Sequence, residues 1–329
     1  MTNGRRSLLF LILVFSLIAC SQAPVVSISL ETPTPVISAT IGPESTLAGP
    51  TPWVGGTETA LATDTSTTTD QSALSTPSTM EKPTDFSPVL YGGKVNQSTI
   101  FLLLGGVSRE TWLAPDMSVA RFSGEATYSL SSISQEAKYF VWGKAPEFSP
   151  TCRIYSVGTD TALEESGFVG VVNSWTISKR PVTELVGDGD FYRQVVIDWL
   201  GAEGVAAPEV DSLQVYRVDI EGDGTDEVFI SATHLDGSQH TTKAGDYSIL
   251  LLRQVIGDEA VTKLVVGDIY HSQEPENTFP RAYSFANFID LNQDGRLEVV
   301  VDVQKWEGYG ARVYQIDGED VIQTLGAEC

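Results

Sequence analysis

The sequence predicts a mainly β protein: an N-terminal antiparallel β subdomain, one linking helix, and two four-stranded units built to the same plan. Three observations predict it. Short apolar and β-branched runs recur between Gly- and Asp-rich turn residues. One stretch alone carries an extended helical periodicity. The last third repeats a single order of strand, acidic loop, strand, strand, turn and strand.

Residues 1–20 read as an export signal. Arg5 and Arg6 form a positive start, and Leu8 to Ala19 is apolar but too short for a membrane span of about 20 residues. The run ends in Leu17-Ile18-Ala19-Cys20, which resembles the lipobox of bacterial lipoproteins. That resemblance implies cleavage before Cys20 and lipid on its thiol, hence an extracytoplasmic chain anchored to the bacterial cell membrane. An uncleaved anchor or a plain cleaved signal would also direct the chain out of the cytoplasm. Residues 21–85 are rich in Ser, Thr and Pro, with Lys82 their single basic residue. Such a segment buries too little apolar surface to offset its ordering entropy, so a disordered tether is expected.

The β-rich subdomain is expected over 86–185. Its strands are Thr99–Leu104, Tyr139–Trp142, Arg153–Val157 and Phe168–Val172, three of them ending at glycine. The rest, 186–329, holds the helix and the two units, 213–268 and 283–325. In the helix, over 190–200, Phe191, Val195 and Trp199 recur every four residues, widened by Val196 and Leu200. Asp188 or Asp190 caps its start, and Gly201 or Gly204 its end. One apolar face means that it packs on a sheet.

Each unit carries an acidic loop between its first two strands. The first is Asp219-Ile-Glu-Gly-Asp-Gly-Thr-Asp-Glu227 and the second Asp290-Leu-Asn-Gln-Asp-Gly-Arg-Leu-Glu298. Side-chain oxygens fall at positions one, three, five and nine: Asp219, Glu221, Asp223 and Glu227, then Asp290, Asn292, Asp294 and Glu298. The carbonyls of Thr225 and Arg296 fall at position seven, and a glycine at position six permits a sharp turn. Oxygens so spaced suit calcium, a hard cation that takes six to eight of them. The plainer reading is a pair of tight turns.

Neither loop is an EF-hand, because position twelve is Ile230 or Val301 in place of a glutamate. A last acid at position nine followed by a β run resembles the calcium loops of FG-GAP repeats, the integrin-α-like (VCBS-type) propeller blades. Glu221 departs from the Asp or Asn usual at position three. The resemblance implies blade-like sheets and a structural calcium ion. Two units cannot close a propeller of four or more blades, so packed sheets or an incomplete propeller are expected.

With Cys20 lipidated, Cys152 and Cys329 remain in an oxidising compartment and are a candidate disulfide. The alternative is a buried Cys152 and a loose terminal thiol. The formal charge of −23 excludes nucleic acid as a natural partner, since such a surface repels phosphate. His234, His240 and His271 lie in polar loops; zinc at His234, His240 and Asp236 is weighed against ordinary solvated histidines. Trp306 and Tyr309, in a Gly-rich connection, form a candidate surface for a protein or glycan ligand; the alternative is that Trp306 folds onto its own sheet. No nucleophile elbow or phosphate-cradling loop is present. The functional expectation is therefore non-enzymatic: a lipid-anchored calcium-binding β module for surface binding or scaffolding. The alternatives are an exported hydrolase acting on envelope polysaccharide or peptide, and a solute-binding lipoprotein.

Overall fold

The computed structural model describes residues 85–329 except 96–97, 110, 123–125, 135–138, 143, 159–162, 164–166, 188, 237–240, 274–278 and 307. The expected signal with Cys20, nearly all of the expected tether, Asp188 and His240 lie outside the described residues.

The chain forms three antiparallel sheets, none of them closed. The first contains β1 (Ser87–Val95), β2 (Ser98–Ser108), β3 (Thr111–Leu113), β4 (Thr127–Ser131), β5 (Tyr139–Trp142), β6 (Glu147–Ser149), β7 (Ile154–Val157) and β8 (Phe168–Val172). Its order is β5-β4-β8-β1-β2-β7-β6, with β3 added to β2. A short helix, α1 (Pro115–Val119), follows β3. The second sheet is a meander of β10 (Ser212–Val218), β11 (Glu227–His234), β12 (Tyr247–Ile256) and β13 (Glu259–Ile269), with β9 (Thr183–Glu184) on its β10 edge. The third is a meander of β14 (Ala282–Ile289), β15 (Glu298–Gln304), β16 (Tyr309–Asp317) and β17 (Asp320–Glu328).

The third sheet lies between the other two, and this explains its sequence. From Glu298 to Val303 every residue of β15 is buried. Val299, Val301 and Val303 face the second sheet, together with Tyr283, Phe285, Phe288, Tyr314 and Ile316. Val300, Ala311, Val313 and Leu325 face the first sheet. Both faces are covered, so the polar alternation of a half-solvated strand is absent. Phe285 and Phe288 share a face despite their odd spacing because a bulge between Phe285 and Asn287 inserts one residue. Aromatic rings fill the interface with the second sheet: the Phe229 and Phe288 centroids are 4.7 Å apart, and those of Phe229 and Phe285 5.5 Å. Each such pair contributes about 0.5–1.5 kcal/mol beyond its area burial.

Helix α2 (Gly189–Ala202) covers the outer face of the second sheet. The expected stripe is displaced. Val196 and Leu200 are fully buried, whereas Phe191 is 57% exposed, its ring beside Tyr192 and under the Arg253 guanidinium. The sheet seats Val196 and Leu200, and Phe191, one turn earlier, overhangs it. The helix ends as its glycines predict. Gly204 takes φ +89°, the Val205 amide donates to the Leu200 carbonyl at 3.0 Å, and the Gly204 amide donates to Gly201 at 3.1 Å. This is a Schellman closure.

Polar ties cross the interface between the first and third sheets. Asn287 Nδ2, fully buried, donates to the Ser131 carbonyl (3.0 Å) and Oγ (3.1 Å). Tyr91 donates its hydroxyl to Asp302 Oδ1 at 2.5 Å, and Gln304 donates to Oδ2 at 2.7 Å. Burial raises the pKa of the Asp302 carboxyl. At the chain end Arg312 and Lys305 hold Glu328, and Cys329 pairs with Cys152 in a disulfide with Cα atoms 4.7 Å apart. The last strand is thereby tied to the turn between β6 and β7.

Replacing Tyr91 with phenylalanine leaves Asp302 buried without its principal donor. Tyr91→Phe is expected to lower the unfolding free energy by about 1–3 kcal/mol. The measurement is the urea midpoint at constant slope; an unchanged midpoint would show that this tie contributes nothing.

Candidate metal centre

The two acidic loops share one backbone. Positions four and six have positive φ in both: Gly222 (+78°) and Gly224 (+88°), then Gln293 (+65°) and Gly295 (+86°). The left-handed region is easy for glycine and strained for glutamine. Gln293 is held there by its side chain, whose Nε2 donates to the Thr176 carbonyl at 2.8 Å.

Side chains at matching positions close both loops. The ninth-position glutamate reaches back to the second-position amide: Ile220 donates to Glu227 Oε2 at 2.9 Å, and Leu291 to Glu298 Oε2 at 2.7 Å. The fifth-position aspartate accepts the seventh-position amide: Thr225 to Asp223 Oδ1 at 2.7 Å, and Arg296 to Asp294 Oδ1 at 2.8 Å. The first-position aspartate accepts from the amide of the glycine at position six: Gly224 to Asp219 Oδ2 at 3.0 Å, and Gly295 to Asp290 Oδ2 at 3.1 Å. Many of these oxygens therefore face their own loop's amides. Among the described residues no three Asp, Glu, His or Cys side chains converge on one point.

The loops differ in burial and in satisfaction. In the first, residues 221–226 are exposed. Both Asp219 oxygens are occupied, Oδ1 by the Gly222 and Asp223 amides and Oδ2 by Gly224. Burial acts to raise its pKa, but these amides and Arg180 outweigh it, and the pKa lies below its ordinary value. Glu221, at position three, turns away to Arg296 of the other loop, 3.5 Å distant.

In the second loop Asp290 and Asn292 are each 3% exposed and Glu298 is fully buried. Four buried side-chain nitrogen and oxygen atoms lack a hydrogen-bond partner among the described residues, and two of them are Asp290 Oδ1 and Glu298 Oε1. A buried carboxylate oxygen without a partner is costly and needs a compensating charge or proton. Burial, reinforced by the charges of Asp294 and Asp290, lifts the Glu298 carboxyl to a pKa of about 8, and burial raises Asp290 as well. Asn292 donates to Asp294 Oδ2 at 2.9 Å and accepts from the Asp294 amide at 3.0 Å. The second loop therefore has two buried carboxylate oxygens short of a compensating charge among the described residues; the first loop has none.

A strap that the sequence reading did not identify holds the second loop. Trp175 Nε1 donates to the Leu291 carbonyl at 2.9 Å. The Ser178 carbonyl accepts the Asp290 amide at 3.0 Å, and Thr176 accepts from Gln293. Arg180 reaches the Gly295 carbonyl. The available signal was the unassigned polar stretch Thr176–Arg180 after a buried tryptophan.

The other candidate residues are dispersed. His234 Nδ1 pairs with Asp211 Oδ2 at 2.8 Å, and His271 is exposed elsewhere. Trp306 is 45% exposed, whereas Tyr309 packs against the core between the first and third sheets.

In the metal-free chain the raised pKa of Glu298 makes protonation favour the fold. Its contribution is complete below about pH 4.5 and is lost as the pH rises through about 8. In chelator, the melting temperature is expected to fall across that window. Glu298→Gln removes part of this fall and melts higher at the alkaline end. A glutamine variant that follows the native profile would overturn the assignment. Comparison of the chain with protein-family models, with curated proteins and with solved structures finds no match.

Proposed function

We propose that this chain is a lipid-anchored, extracytoplasmic β module for surface binding or scaffolding, in which a calcium ion held by the second acidic loop has a structural role. One observation carries the metal reading. Asp290 Oδ1 and Glu298 Oε1, within a single nine-residue loop, are buried and have no hydrogen-bond partner among the described residues. Asp290, Asn292, Asp294, the Arg296 carbonyl and Glu298 would hold the ion. It would supply the positive charge that these desolvated carboxylates lack, and so act on stability. The anchor rests on Arg5, Arg6, the apolar run and Cys20. The two four-stranded meanders with a loop between their first strands support kinship with FG-GAP blades in plan, as an incomplete, unclosed assembly.

Thermal melting of the full-length chain tests the metal. Calcium at about 100 times its Kd stabilises by about 2.7 kcal/mol, a rise of roughly 5–10 °C for a folded part of this size. Chelator is expected to reverse the rise and Glu298→Gln to abolish it. Coincident curves with calcium and chelator would refute the reading. For the anchor, Cys20→Ala is expected to move the protein from the membrane fraction to the soluble one; retention at the membrane would count against lipid at this residue.

A further inference from the structure

The first loop already has a cation of its own. Arg180 leaves the strap and enters between the two loops. Its Nη1 donates to the carbonyls of Asp219 (2.9 Å) and Ile220 (2.8 Å), and its Nη2 to the carbonyl of Gly295 in the second loop. Three backbone oxygens from two loops thus face one guanidinium. The space is reserved for it: a Cβ added at Gly222 would lie 2.4 Å from Arg180 Nη2. A further bond joins the loops beside it, from the Leu297 amide to the Ile220 carbonyl at 2.9 Å.

We propose that Arg180 is the resident cation of the first loop, which therefore takes no metal, and that the same side chain couples the first loop to the ion-binding second one. A guanidinium is permanently charged and presents a rigid fork of donors, so it can satisfy carbonyls from separate segments at once. Its charge acts on Asp219, the first acid of the loop, whose repulsion with Glu221 and Glu227 a metal would otherwise relieve. Two loops of almost identical spacing are then satisfied differently: one by a side chain, the other by an ion. The second half of this inference rests on the metal reading of the second loop; the first half does not.

The test is calorimetric titration of the full-length chain with calcium alone, together with melting in chelator, for the native protein, Arg180→Ala and Arg180→Lys. The native chain is expected to bind one ion. Arg180→Ala is expected to melt roughly 4–8 °C lower in chelator, to bind a second ion, and to regain the lost melting temperature in calcium. Arg180→Lys keeps the charge and binds one ion. Arg180→Gln, uncharged but still a donor, replaces the alanine variant if that one does not fold. Two ions on the native chain or on the lysine variant would overturn the proposal. So would an uncharged variant that folds and binds no more ions than the native chain, whatever its melting temperature. A native chain that binds none would refute the second-loop reading alone, since an uncharged variant must still gain an ion in the first loop.

Discussion

A glutamate carboxylate placed inside a β core sets the terms for this fold. Glu298 closes its loop by accepting the Leu291 amide, and its other oxygen is buried without a hydrogen-bond partner among the described residues. The contact belongs to loop closure and the cost belongs to burial. Neither can be removed without the other, because Glu298 is also the first residue of β15, the strand covered on both faces. Such a group needs a proton or a cation. That need links the geometry of one turn to the chemistry of the protein.

The burial comes from the layer order. The third sheet is enclosed by the first sheet on one face and the second on the other, and α2 covers the second from outside. Loops at the end of an enclosed sheet are drawn inward. The first loop, on the sheet whose outer face carries α2, stays in water over 221–226. Its ninth-position glutamate, Glu227, makes the same closing hydrogen bond, and burial raises its pKa too, yet both of its oxygens are satisfied or reachable. Identical local chemistry therefore has different energetic consequences in the two places.

The strap from Trp175 to Arg180 turns two adjacent loops into one structure. It contributes an indole donor, two backbone carbonyls and a guanidinium. It connects β8 of the first sheet to β9 of the second, so all three sheets meet at the loops. The Cys152–Cys329 disulfide and the Arg312 and Lys305 contacts to Glu328 secure the far edge of the third sheet in a similar way. Regions that lack a repeated pattern thus hold together the regions that have one.

Much of this was legible in the residues. The spacing of Asp, Asn, Gly and Glu marked both loops, down to positive φ at the position-six glycine, because that conformation depends on side-chain-to-amide bonds within nine residues; positive φ at position four, on Gly222 and Gln293, came only from the structure. The runs of Val, Ile and Leu marked most strands, and Gly204 marked the end of α2. Strands β1 and β4 were missed: β1 carries Gly92 and Gly93, and β4 is Thr- and Ser-rich, so both take their conformation from neighbouring strands. The face of α2 was misjudged at Phe191 because periodicity gives a stripe but not the rotation at which a sheet receives it. Sequence alone determined the two loops and their equivalence. Only the tertiary structure decided that one would be buried and short of charge while the other took Arg180, because burial and a donor more than a hundred residues from Gly295 are properties of the packed chain.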